Sequence, residues 1–254
     1  MTTWIGHLRV AENLLQRLPH LDERLFLFGS LAPDSGLPNA DWTEFDPPKE
    51  VTHFLDKGQG EGNIKDMNFY RLFLADVPLD DVHYSYLLGY FFHLICDNLW
   101  DIRIAAPTRE RLAGLLTELG PRTVFGRIKN DWYTLDFKYI RDFPDCAFWR
   151  VYRDAPLPPA VVPYLSDAAL HQQITYIRGF YSNPLDDLEI ERPYPYLNET
   201  CMDRYVAEAS ALLLPIYERI QHNDIEAAHT ALKLLPDFTF TPYPQPLGDP
   251  AANE

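Results

Sequence analysis

Cysteine is scarce: Cys96, Cys146 and Cys201 are the three thiols in 254 residues. An odd number at wide spacing excludes a disulfide framework and points to a reducing compartment. Basic residues are also few, 22 Lys and Arg against 37 Asp and Glu, for a net charge of −15. No run of Lys or Arg breaks that acidity, so polyphosphates, nucleic acid and anionic membrane surfaces meet a repulsive field. No apolar run reaches the length of a membrane span. The start, MTTWIGHLRVAENLL, lacks the basic cluster and long apolar core of a secretory signal, so a cytoplasmic location is expected. Alternating strands are missing, as are repeats of roughly 20–50 residues.

What is present is apolar and aromatic: 46% of the residues are hydrophobic, 14% are Phe, Trp or Tyr, and 23% are charged. Such a chain buries a large core rather than staying disordered. Helical stripes recur. Trp4, Leu8, Ala11, Leu15 and Leu18 mark a helix over 3–18 with His7 on its edge. A short buried helix follows over 22–28 and stops at Gly29; another spans 63–75 with Asn63 as its cap. The central helix starts near Asp80 or Asp81, and Pro107 opens a shorter polar helix to about Leu119. Further helices are expected within 122–152, over 166–181 behind Ser166, from 203 to 220, and over 224–234. The expected fold is therefore all-α, a multi-helix bundle in one domain over 1–235, with 236–254 as a proline-bearing extended tail. Glycines 58, 60 and 62 form a surface loop that is neither a dinucleotide fingerprint nor a P-loop.

The stretch Tyr86–Asp101, YLLGYFFHLICDNLWD, is apolar enough to be buried, yet it carries His93, Asp97 and Asp101 at four-residue steps on one side of a helix. Buried imidazole and carboxylates need a partner, and a divalent metal supplies one. Gly89 in the same helix marks the close approach of a neighbour, expected to be the first helix. Taken singly, His7 reads as a core histidine, and Asp34, in Pro33-Asp34-Ser35-Gly36, as a turn residue. In 122–152, aromatics alternate with Asp131, Asp136, Asp142 and Asp145; the expectation is aromatics on the core and acids in solvent.

Four spaced motifs change the weight of these residues. Thr3-Trp4-Ile5-Gly6-His7-Leu8-Arg9-Val10-Ala11, Phe28-Gly29-Ser30-Leu31-Ala32-Pro33-Asp34, Thr52-His53-Phe54, and Leu87 through Asp97 occur in one order. In that order the chain resembles zinc-dependent phospholipase C-like proteins, over roughly its first hundred residues. The resemblance implies an all-α fold around a buried metal cluster. It implies His7 as the ligand on the first helix, Asp34 and His53 as loop ligands, and His93 with Asp97 as the helix pair. It further implies Asp97 as a bridge between metals and Asp34 as the general base.

The chain departs from that pattern in three places. Trp4 follows three residues instead of opening a processed terminus, Arg103 stands where a further His belongs, and no His-x-x-x-Glu follows. The expected site is thus reduced to one or two ions, zinc first. Mn, Fe or Mg enters where Asp101, Asp131 or Asp136 replaces a lost ligand. Arg103 is a candidate phosphate contact. The expected activity is metal-assisted hydrolysis of a small-molecule or lipid phosphoester, with Asp34 orienting or deprotonating the water. Two alternatives stand beside it: a metal-stabilised helical binding or structural protein without catalysis, and a single-strand nuclease, which the charge disfavours.

Overall fold

The structure, a computed structural model, describes residues 1–41, 43–184, 188–222, 225, 228–244 and 247–249. Helix α1 (Trp4–Leu15) starts at Thr3, whose hydroxyl accepts the Gly6 N–H and so satisfies one of the free amides of the first turn. Helix α2 (Glu23–Gly29) is capped by Asp22 in the same way, through the Leu25 N–H. A 3-10 turn (Ala32–Asp34) follows, then the short antiparallel pair β1 (Leu37–Pro38) and β2 (Phe45–Asp46), with Leu37 opposite Asp46. Helix α3 (Lys49–Thr52) ends at His53.

The helix expected over 63–75 is three pieces: a 3-10 turn (Glu61–Asn63), α4 (Asp66–Phe69) and a π turn (Tyr70–Leu74). Asn63 does not cap it; Lys65 precedes α4 without a side-chain cap. The central helix α5 (Tyr84–Trp100) passes into a π turn (Asp101–Ala105). Then come α6 (Ala106–Arg111), α7 (Ala113–Leu119), α8 (Pro121–Asp142), a π turn (Phe148–Tyr152), α9 (Asp167–Ser182) behind its Ser166 cap, and α10 (Glu199–Gln221) behind Asn198. The fold is largely all-α, with two short strands among the described residues. Of the helix expected over 224–234, residues 224, 226 and 227 lie outside the described residues, and the C-terminal part is a 3-10 turn, Ala231–Leu234. No helix is long and apolar enough to cross a membrane.

Every residue of α5 is buried, and α1, α2, α4 and α10 pack against it. The tightest approach is to α2. A Cβ on Gly89 would collide with the Phe26 carbonyl oxygen and crowd the Ser30 amide, and one on Gly29 would meet the Tyr86 carbonyl. The neighbour of Gly89 is therefore α2 rather than α1. Because the two backbones touch, Ser30 and the turn carrying Asp34 are held against the face of α5 that bears His93.

The C-terminal segment has no helix or strand among its described residues, yet it is tied down. Tyr243 and Leu247 are buried, the Asn198 N–H donates to the Leu247 carbonyl at 2.9 Å, and the Asp249 N–H donates to the Tyr194 carbonyl at 2.8 Å. Prolines here keep the chain extended, while side chains and backbone amides dock it.

Candidate metal centre

Three elements converge on α5. From α5 itself come His93 and Asp97, with Nε2 and Oδ2 3.5 Å apart. From α1 comes His7, its Nε2 3.3 Å from Asp97 Oδ1 and its ring stacked on that of His93 at 3.8 Å between centroids. The end of α3 supplies His53, whose Nε2 lies 3.3 Å from His93 Nε2 and 3.5 Å from Asp97 Oδ2. The following Phe54 adopts φ of 54°, a left-handed backbone unusual outside glycine, and its ring packs among Phe69, Phe73 and Tyr164. The 3-10 turn after α2 supplies Asp34, with Oδ1 3.4 Å from His53 Nε2 and 3.9 Å from His93 Nε2.

These buried groups could hold a metal ion. Two triads, His7/His93/Asp97 and Asp34/His53/His93, each bring one ligand atom per residue within 4.8 Å of the others. The triangle of His53 Nε2, His93 Nε2 and Asp97 Oδ2 has sides of 3.3, 3.5 and 3.5 Å. The edge of a tetrahedron with metal–nitrogen bonds near 2.0–2.1 Å is about 3.3 Å.

The donor chemistry points the same way. His93 Nδ1 sits 2.8 Å from the Ser30 carbonyl oxygen, which can only accept, so Nδ1 carries the hydrogen. In the neutral ring Nε2 is then a bare lone pair, and it faces Asp97 Oδ2, Asp34 Oδ1 and His53 Nε2. Acceptors crowded together need either a proton or a cation between them. His7 Nε2 and Asp97 Oδ2 have no hydrogen-bond partner. Since only one nitrogen of His93 is available, the two triads share that single ligand position.

Electrostatics describes the cluster when a proton fills the cation's place. Burial and the neighbouring His93 push His7 down to about 4, so it is neutral. Burial lowers the His93 pKa but the charges of Asp97 and Asp34 outweigh it and raise the value. Burial also disfavours ionisation of Asp34 and Asp97, yet His53 and His93 hold Asp34, and His93 with the N-terminal ammonium hold Asp97, below the ordinary carboxylate value. A site that keeps two buried carboxylates ionised is built to compensate positive charge.

A second layer fixes the orientations. The Trp4 indole N–H donates to Asp34 Oδ2 at 2.9 Å, leaving Oδ1 toward the histidines. The Thr2 N–H donates to Asp97 Oδ1 at 2.8 Å, and His53 Nδ1 lies 2.9 Å from Thr52 Oγ1. Such outer contacts set tautomer and direction. They were not legible from motif spacing, although Trp4 stands one helical turn before His7 and Thr52 adjoins His53.

Asp101, Asp131, Asp136 and Arg103 are not brought to the cluster. Four-residue steps turn about 400°, so each drifts about 40° and Asp101 ends about 80° from His93. There it pairs with Arg109 at 2.6 Å. Asp131 is buried against Arg192 at 2.7 Å and accepts the Tyr196 N–H. Asp136 accepts from the Thr3 hydroxyl at 2.7 Å and from Tyr181 OH at 2.5 Å, and burial pushes it up to about 7. The expectation of solvated acids on α8 therefore fails for these two. Arg103 is buried with its guanidinium committed to Glu208, at 2.6 Å, and to the Thr239 and Thr241 carbonyls, so it clamps the C-terminal segment and is not placed to bind a phosphate beside the cluster.

Asp34 and His53 also line a cleft of 340 Å³, whose walls include Trp4, Tyr133 and Tyr176. His7, His93 and Asp97 lie behind them, away from its lining. The arrangement is thus a buried ligand set bordered on one side by a cleft, with the Asp34 and His53 side chains there 5% and 1% exposed. No family model matches the chain, and neither a curated protein nor a solved structure is similar to it.

Proposed function

We propose that the chain is a metal-dependent hydrolase that acts on phosphoesters through an activated water, as the phospholipase C-like resemblance implies, with zinc as its ion. The observation that carries the reading is the one-sided access: the ligand set is buried, but Asp34 and His53 face an open cleft. A purely structural zinc site is closed on all sides by protein ligands, whereas a catalytic one keeps a position for water or substrate.

His53, His93 and Asp97 would hold the ion, with Asp34 beside the open position on the cleft side and His7 behind the set. A bound zinc would lower the pKa of water toward 7 and polarise the phosphoryl oxygen. Asp34, kept ionised by the histidines, would accept a hydrogen bond from the attacking water and orient it. The Trp4 indole restrains that carboxylate, so its free oxygen keeps one direction. Attack would form the bond from water oxygen to phosphorus as the phosphorus–oxygen ester bond breaks, the water's proton passing to Asp34 and the leaving oxygen taking a proton from solvent on the cleft side. The shared use of His93 Nε2 favours one tightly held ion over two. Three unpaired, buried cysteines accord with a cytoplasmic setting.

The test is turnover of bis(p-nitrophenyl) phosphate and p-nitrophenyl phosphate by zinc-loaded and chelated protein. Zinc-dependent release of nitrophenol, lost in Asp34→Asn while zinc stays bound, supports the reading. Tight zinc without turnover of either ester, and a His93→Ala variant altered only in melting temperature, would instead establish the non-catalytic, metal-stabilised protein.

A further inference from the structure

Ser35 follows Asp34 at the end of the 3-10 turn and lines the same cleft. It is 3% exposed, and its hydroxyl is buried without a hydrogen-bond partner. A buried hydroxyl left unpaired costs stability, so its place in the wall of a cleft points to a partner that arrives from outside the fold. The position is not loose. The Ser35 N–H donates to the Ala32 carbonyl at 3.0 Å, and a Cβ on the next residue, Gly36, would crowd the Pro47 carbonyl oxygen and the Phe45 side chain. The backbone on either side of the hydroxyl is therefore held, which keeps the group next to Asp34. The candidate ligands themselves offer acceptors: two carboxylates and the bare Nε2 of His93. Nearby donors are already spent, the Trp4 indole N–H on Asp34 and the Thr52 hydroxyl on the Lys49 carbonyl at 3.3 Å. The Ser35 O–H is not.

From these features we infer that Ser35 is a substrate-binding residue, whose hydroxyl donates a hydrogen bond to a non-bridging oxygen of the phosphoryl group bound over Asp34 and His53. Phosphoryl oxygens accept and cannot donate, so they gain nothing from the carboxylates beside them and need a donor of this kind. As the ester bond breaks, charge gathers on those oxygens and the same hydrogen bond strengthens. The inference rests on the hydrolase reading for its ligand and on binding for its test.

Titration calorimetry of the zinc-loaded full chain with methylphosphonate, which has no cleavable ester, reads this contact directly. Ser35→Ala is expected to bind it about tenfold more weakly than the wild type. Its kcat/KM on bis(p-nitrophenyl) phosphate is expected to fall about a hundredfold. Because the hydroxyl has no partner within the fold, zinc content should be unchanged and the melting temperature no lower. Equal affinity in Ser35→Ala, or no binding by the wild type, overturns the inference. So does a melting temperature that falls along with the affinity, which would make the hydroxyl part of the fold. Serine-dependent binding without any ester turnover would overturn the hydrolase reading and leave the Ser35 assignment standing. Turnover and affinity both indifferent to Ser35 would do the reverse.

Discussion

Trp4 and Asp34 meet through one indole N–H, and that contact separates orientation from packing. Trp4→Phe keeps the ring among Tyr133, Phe180 and Tyr181 but frees Asp34 Oδ2. Zinc affinity should fall about tenfold, the low end of the range for lost outer-shell partners, while the melting temperature of chelated protein stays nearly constant. Asp136 supports the same end of α1 through Thr3, and it gives a pH signature. Its folded pKa, about 7, lies above the ordinary 3.8, so its stabilisation is complete below 3.8 and is lost as pH rises through 7. In chelator, the melting temperature of the wild type relative to Asp136→Asn should decline from pH 4.5 to 7.5, approximate bounds chosen around that titration. A flat difference would mean that Asp136 does not titrate between those pH values.

At the scale of elements, the site depends on α2 lying directly on α5. Gly89→Ala drives a methyl into backbone that cannot swing aside. It should cost about 3 kcal/mol in urea denaturation and weaken zinc binding, because Ser30 and Asp34 shift with α2. How far the sequence speaks is clearest here. The helical period makes the His93–Asp97 pair readable, since four residues nearly close a turn, and the same period misplaces Asp101 when the drift is carried one step further. Cap chemistry locates Ser166 at the start of α9, but a π turn leaves no period to read, so the break between α4 and the turn after it is missed. The glycine at 89 announces a close neighbour without naming it. The burial of Asp131 and Asp136 depends on Arg192, Thr3 and Tyr181, which lie 61, 133 and 45 residues away in sequence, beyond any local pattern.

Across the whole molecule, acidity and site are kept apart. Of the described residues lining the cleft one is a carboxylate, Asp34, and it belongs to the buried His/Asp group that could hold a metal ion. The C-terminal segment closes a different side of the bundle through Arg103 and Glu208, with Tyr243 OH donating to the same carboxylate. Arg103→Ala should therefore destabilise the protein by about 3 kcal/mol by stranding Glu208 and two carbonyls, with zinc affinity unchanged. A parallel loss of zinc would show that the clamp and the centre are one cooperative unit. The most direct test of the central claim is elemental analysis of the purified chain by plasma mass spectrometry, before and after dialysis against zinc. The account predicts one zinc per chain that survives dialysis in buffer and is absent from His93→Ala. A wild-type chain that retains no divalent metal after exposure to micromolar zinc would contradict it.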